Sequence, residues 1–266
     1  MERMDVQTVK RVVMFSGGVG SWAAAKRTVE RHGRDGLVLL FADTLIEDPD
    51  LYRFLDDASA DVGAPLIRIA DGRTPWEVFR DRRMLGNSRV APCSTELKQR
   101  PARAWMREHA PDAAVVLGID WTEMHRLPGA KKGWEPWIVE APLCEPPYQS
   151  KADLMVDLER DGIRMPDLYR EGFPHNNCGG GCVRAGHAQF AKLYRQRRRT
   201  FAEWEEGEEG LRQFLGRPVS ILRDRTDGST NPLTLADLRR DLERQPTLFD
   251  DGEWGGCGCF VAEALP

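Results

Sequence analysis

Two groups of residues in this 266-residue chain have the types and spacing to do chemistry. The first is the hexapeptide Ser16-Gly17-Gly18-Val19-Gly20-Ser21. It lies between the apolar run Val12-Val13-Met14-Phe15 and a helix-like stretch opening Trp22-Ala23-Ala24-Ala25. A strand, a tight turn and a helix N-terminus in that order make an anion site. The first-turn N–H groups have no partner within the helix, and the positive end of the dipole faces the ligand. The turn closes the first β–α unit, where open α/β sheets place their ligands. The same composition also suits a plain β-to-α connection. The second group is cysteine. Cys93 and Cys144 stand alone, Cys178 and Cys182 form a C-x3-C pair across three glycines, and Cys257 and Cys259 form a C-x-C pair. Thiolates select zinc or iron–sulfur clusters, and a closed site takes four of them. Cys93, Cys178 and Cys182 supply three, and Cys259 or Cys257 a fourth, for a [4Fe-4S] cluster or, equally well on ligand count, for zinc. Cys144 stays outside this set.

These residues need a scaffold. Apolar residues make up 41% of the chain and charged residues 30%, which is the balance of an ordinary globular protein. A net charge of −4 argues against a uniformly basic nucleic-acid coat. The N-terminus is charged and lacks an apolar signal region, and no apolar run has the length of a bilayer span. The expectation is a cytoplasmic protein with no membrane partner, in which a disulfide framework is not expected.

Strand patterns over 11–15, 37–41, 66–70 and 113–119 alternate with helical patterns over 21–31, 48–62, from Thr74-Pro75 onward, and 95–109. Such alternation predicts parallel βαβ units in a doubly wound α/β domain. A proline-containing edge strand over 138–143 makes the sheet five-stranded. Beyond Asp120 the texture turns to proline, tryptophan and glycine. Helices are then expected over 152–160, 183–196, 201–215 and 233–242, with a strand over 219–222. This divides the chain into a nucleotide-binding α/β domain, 1–145, and a mainly helical, cysteine-bearing extension, 146–266, packed on it. The basic run 195–199 reads as a solvated helix face. Trp121, Trp134 and Trp137 read as packing between the two halves rather than as a base-stacking platform. His175 and His187 read as polar loop or helix residues.

The order of the motifs resembles a family. Ser16-Gly17-Gly18-x-x-Ser21 is similar to the PP-loop of the ATP pyrophosphatases, and Phe41-Ala42-Asp43-Thr44 to the Asp-Thr ending the second strand in their phosphoadenosine phosphosulfate reductase branch. Gly118-Ile119-Asp120-x-x-Glu123-x-x-Arg126 resembles the station after that branch's fourth strand. Glu140-Ala141-Pro142-Leu143, Lys151-Ala152-Asp153-Leu154 and Leu168-Tyr169-x-x-Gly172-Phe173 resemble its downstream series. The resemblance spans about residues 10–187 and implies an adenine nucleotide α-hydrolase-like (HUP, Rossmann-like) fold. It places ATP on Ser16, Gly17, Gly18, Gly20, Ser21 and Gly118, with Asp43 on ribose, adenine or Mg²⁺. Lys98 and Arg126 add positive charge for the departing pyrophosphate.

Three departures qualify it. Gly20 stands where the usual loop has aspartate, so Mg²⁺ needs another acid such as Asp43. One cysteine, Cys93, stands where adenylylsulfate reductases carry a pair, and the later pair has x3 rather than x2 spacing. The tail Gly256-Cys257-Gly258-Cys259-Phe260 lacks the reductases' nucleophile motif. The expected function is an ATP-dependent, AMP-forming enzyme of sulfur chemistry, taking an adenine nucleotide, a sulfur donor and an acceptor that is tRNA, DNA or a small molecule. A homodimer is compatible with it. The alternatives are a reductase of adenylylsulfate or its 3′-phosphorylated form using Cys257 as nucleophile, and a nucleic-acid-binding metal module with a vestigial ATP site.

Overall fold

The computed structural model describes residues 9–225 and 228–246; Cys257 and Cys259 lie outside the described residues. The first strand, β1 (Arg11–Met14), runs into α1 (Val19–His32) through the glycine turn. β2 (Leu37–Asp43) is the continuous apolar run, buried along nearly its whole length as a central parallel strand must be. The helix α2 (Pro49–Val62) starts where its sequence dictates: the Asp48 carboxylate accepts the Asp50 N–H at 2.9 Å, and Pro49 needs no N–H partner. It stops at Gly63, which takes the left-handed conformation. β3 (Leu66–Ala70) follows, then α3 (Pro75–Asp81), opened by a reciprocal capping box between Thr74 and Glu77.

The helix expected over 95–109 is two pieces, a π-helical turn Ser94–Gln99 and then α4 (Arg100–His109). Pro101 is the cause: with no N–H it cannot continue an α-type ladder, and the Arg100 N–H reaches back to Thr95 O instead. β4 (Ala114–Val116) is shorter than expected. Trp121–Arg126 forms a 3₁₀ turn leading into α5 (Leu127–Trp134), a helix that the proline- and glycine-rich texture concealed. Pro128 sits in its first turn, where proline is tolerated. β5 (Val139–Glu140) completes a five-stranded, all-parallel sheet in the order β3-β2-β1-β4-β5. The fold is a doubly wound α/β sheet.

Alternation along β2 feeds two cores. Leu37, Leu39 and Phe41 pack on one face with Trp22, Phe54 and Leu55 of α1 and α2. Leu40 and Ala42 pack on the other with Met106, Trp134 and Trp137. Trp134 and Trp137 therefore fill the core under one face of the sheet instead of bridging the two halves. Trp121 is exposed.

The rest of the chain is mainly helical: α6 (Lys151–Arg160), α7 (Asp167–Arg170), α8 (His187–Gln196), α9 (Arg198–Leu215) and α10 (Leu235–Arg244). The helix expected from 183 begins at His187, because Gly186 takes an extended conformation before it. The strand expected over 219–222 lies at β6 (Leu222–Asp224), paired antiparallel with β7 (Asn231–Leu233). Packing crosses residue 145 in both directions. Leu154 and Leu158 of α6 join the first core, while Phe79 and Leu85 join a third core with Leu168, Phe190, Phe201 and Leu238. In the basic run, Arg197 pairs with Asp48 and Glu171, and Arg199 with Glu203.

Candidate active site

The strand order reverses between β1 and β4, and at their C-terminal ends a cavity of about 410 Å³ opens. This is the crevice in which doubly wound sheets bind ligands. Ser16, Gly18, Gly20 and Ser21 line it from the β1 side, and Gly118 and Arg126 from the β4 side. The two loops touch backbone to backbone. A Cβ on Gly118 would stand 2.9 Å from the Gly20 carbonyl and the Ser21 nitrogen, and a Cβ on Gly20 would stand 3.2 Å from Gly118 O. The latter contact gives a steric reason for glycine at position 20, where the resembling loops carry aspartate. Gly17 has φ +77°, which L side chains rarely adopt, and a Cβ on Gly18 would stand 3.0 Å from the Tyr169 hydroxyl. Gly18 caps α1 with no side chain, and the Ser21 hydroxyl donates to Gly18 O at 2.7 Å. The Ser21 and Trp22 N–H groups turn back to Gly18 O at 3.0 and 3.2 Å, so the helix start that borders the cavity presents the N–H groups of Val19 and Gly20.

The opposite wall comes from the C-terminal part of the chain. Lys151, at the start of α6, lies over the Tyr169 ring at 4.7 Å and donates to Pro174 O. Arg126 pairs with Glu123, and Asp120 accepts the Thr122 N–H at 2.8 Å. His175 lies between these cations. Burial, with the nearby charges of Lys151 and Arg126, pushes its pKa down to about 4, so it is neutral at pH 7. Asn176 is buried and donates from Nδ2 to Gly17 O at 2.8 Å.

Three expected residues stand outside this lining: Gly17, whose carbonyl accepts from Asn176, Asp43 and Lys98. Asp43, at the end of β2, accepts the Tyr52 hydroxyl at 3.0 Å and the Leu45 N–H at 2.8 Å, bracing a turn in which Leu45 has φ 63°. The carboxylates on the cavity wall are Asp120 and Glu123. Lys98 is buried in the π-helical turn with its Nζ 3.4 Å from Glu47 Oε1. Glu47 also accepts the Thr44 hydroxyl at 2.8 Å and the Cys178 N–H.

The cysteines gather beside this ion pair. The Cys178 and Cys182 thiols are in hydrogen-bond contact, which together with burial and the Glu47 charge pushes the Cys178 thiol pKa up. Cys178 is buried in the third core, and Cys93 and Cys182 pack against it. Three expected thiols thus meet one apolar cluster. Among the described residues, no group of three His, Cys, Asp or Glu is arranged to hold a metal ion. Cys144 is remote from this cluster: its thiol donates to Ile119 O at 3.3 Å, and burial raises its pKa.

Sequence reasoning gave no role to Lys151, Tyr169, Asn176 or Glu47, and took His175 for an ordinary polar residue. A signal was present for two of them, since His175-Asn176-Asn177 is an unbroken polar run abutting the glycine-embedded cysteines. Lys151 and Tyr169 stood in the motifs of the resemblance without an assigned role, and nothing local marks Glu47.

No family model matches the sequence, and neither does any curated protein. Among solved structures, the chain is similar to phosphoadenylyl-sulfate (PAPS) reductase from Candida auris in its phosphate complex. The TM-score is 0.44 at 18% identity, over 64% of this chain and 81% of that one. At that level the likeness carries no argument about substrate or activity.

Proposed function

We propose that this protein binds ATP in the cavity between β1 and β4 and uses it to adenylate an acceptor for sulfur transfer, releasing pyrophosphate and then AMP. The observation that carries the nucleotide reading is the backbone contact between Ser16–Ser21 and Gly118 at the reversal of strand order, with α1 opening into the cavity. First-turn N–H groups suit the charge of a phosphate chain. Arg126 and Lys151 line the same cavity and would stabilise the pyrophosphate as it departs. Asp120 and Glu123 are the carboxylates available to a Mg²⁺ ion that travels with the nucleotide. An acceptor oxygen, giving up any proton it carries to solvent, attacks the α-phosphorus; the bond to the oxygen bridging the α- and β-phosphates breaks, and pyrophosphate leaves with that oxygen. A thiolate-level sulfur donor then attacks the adenylated carbon, forming the C–S bond, and AMP leaves with the oxygen.

The sulfur part of the reading rests on the thiols. Cys93, Cys178 and Cys182 share one apolar cluster; their residue type suits a thiophilic centre, which would need the three thiols rearranged and a fourth ligand drawn from Cys257 or Cys259. A [4Fe-4S] cluster bound there would supply an iron site with affinity for sulfide, and zinc would supply structure alone.

Product analysis tests the reaction. AMP and pyrophosphate formed from ATP in the presence of sulfide and candidate acceptors support it, and ADP with orthophosphate contradicts it. Sulfite released from adenylylsulfate with a thiol reductant would favour the reductase alternative, with Cys257 as nucleophile. Tight nucleic-acid binding with no ATP turnover would favour the binding module. Iron and labile sulfide in anaerobically prepared protein support the cluster, and stoichiometric zinc without sulfide contradicts it.

A further inference from the structure

A single stretch of backbone has a face in each of the two sites. His175, Asn176 and Asn177 stand on the wall of the cavity, while the next residue, Cys178, is buried in the third core. Asn176 is 1% exposed, and its bond to Gly17 O, 2.8 Å long, fixes the turn residue that sets the direction of the phosphate loop. The residues that follow are held by Glu47, by Gln189 and by bonds within their own turn. The Cys178 N–H donates to the Glu47 carboxylate, the Gly180 N–H to Asn177 O at 3.0 Å, and the Gly181 N–H to Cys178 O at 3.1 Å. The Gln189 side chain donates to Gly180 O at 2.8 Å. Opening this stretch, by lifting it from Gly17 and Glu47 and unwinding its turn, would break the Asn176 and Cys178 bonds and the turn's own bonds together.

We propose that Asn176 is a positioning residue of the phosphate loop, and that through it an occupied loop holds the thiol-bearing turn closed. The inference rests on the nucleotide reading of the cavity. A ligand gripped by the first-turn N–H groups of α1 needs the loop in the conformation that the Asn176 bond selects. Opening the stretch withdraws Asn176 from Gly17 and removes His175 and Asn177 from the wall. The ligand therefore binds the open form less well. By linkage it stabilises the closed turn by the same factor by which the closed turn tightens the ligand.

Amide hydrogen exchange on the protein as purified reads this directly. The Cys178, Gly180 and Gly181 amides are hydrogen-bonded and exchange when the turn opens. ATP with Mg²⁺, at about a hundred times its Kd, should slow them by about tenfold or more. Inorganic pyrophosphate, which carries only the loop-binding part of ATP, should do the same. Asn176→Ala and Asn176→Asp should each raise the Kd for both probes about tenfold. At equal saturation they should also lose most of the protection, which a merely structural weakening would leave in place. Equal protection in wild type and variants at matched saturation overturns the inference, as does unchanged exchange in saturated wild type. The wild-type experiment decides the matter even if a variant fails to fold. Absence of binding by either probe overturns the nucleotide reading and the inference with it.

Discussion

The cavity and the cysteine turn meet at His175–Cys178, yet they are built on opposite principles. The cavity is lined by backbone: glycines bring Ser16–Ser21 against Gly118, and the helix start offers N–H groups to an incoming anion. Its charged lining residues are Asp120, Glu123, Arg126 and Lys151. The cysteine turn is packed. Gly181 faces the Trp204 indole so closely that a Cβ would stand 2.2 Å from Nε1, and the nearby charges, Glu47 and Lys98, are buried as a pair. The difference teaches that one region is shaped to admit a ligand, whereas the other is shaped to hold thiols in a fixed apolar setting.

The sharpest way to break this contrast is at Glu47. Glu47→Ala leaves Lys98 and the Cys178 N–H without the carboxylate, and removing one partner of a buried pair costs about 3–5 kcal/mol. Denaturant unfolding should show a loss of that size, and a loss near zero would mean that water reaches the pair. Next in size is the loop contact. Gly118→Val drives a side chain into the Gly20 backbone and should weaken ATP binding about a hundredfold, or about 2.7 kcal/mol, by calorimetry. Unchanged affinity would remove the loop contact from the site. Gly181→Ala should cost about 1–3 kcal/mol of stability through overpacking against Trp204, while weakening ATP less than Gly118→Val does.

Two further effects are pH dependences of opposite sign. His175 titrates at about 4 in the folded protein against 6.5 for the free side chain. Between those values the unfolded chain binds the proton first, so stability falls as pH drops from 6.5 to 4. Glu208 is buried in the C-terminal helices, where it accepts the Ile221 and Leu235 N–H groups at 2.8 and 2.6 Å. Burial raises its pKa from 4.5 to about 7, against the lowering effect of those bonds. In that window the folded chain holds the proton more tightly, so stability falls as pH rises from 4.5 to 7. His175→Gln should flatten the first slope and Glu208→Gln the second in pH-dependent denaturant midpoints. If either slope survives its variant, that residue is not its source.

The strand–turn–helix at Ser16–Ser21 and the alternation of strands and helices were legible because they are local. Each needs only periodicity, caps and glycine placed in sequence order. The approach of Gly118 to that loop followed from the motif order. The depth of α5 in the core, the split at Pro101 and the late start of α8 were not legible, since each depends on how one proline or glycine is used once its neighbours are packed. Lys98 and Asp43 show a different limit. Their residue types suggested ligand contact, and the fold spends Lys98 on Glu47 and Asp43 on Tyr52 and Leu45.

The sequence by itself determined the parallel sheet and the strand–glycine turn–helix unit at Ser16–Ser21, because strand period and glycine freedom are properties of short segments. Tertiary structure alone decided that Lys151, His175 and Asn176 close the cavity from the far side of the chain, and that Glu47 supports Cys178. Those contacts join residues distant in sequence, and their energies exist only once burial has excluded water and fixed each partner in place.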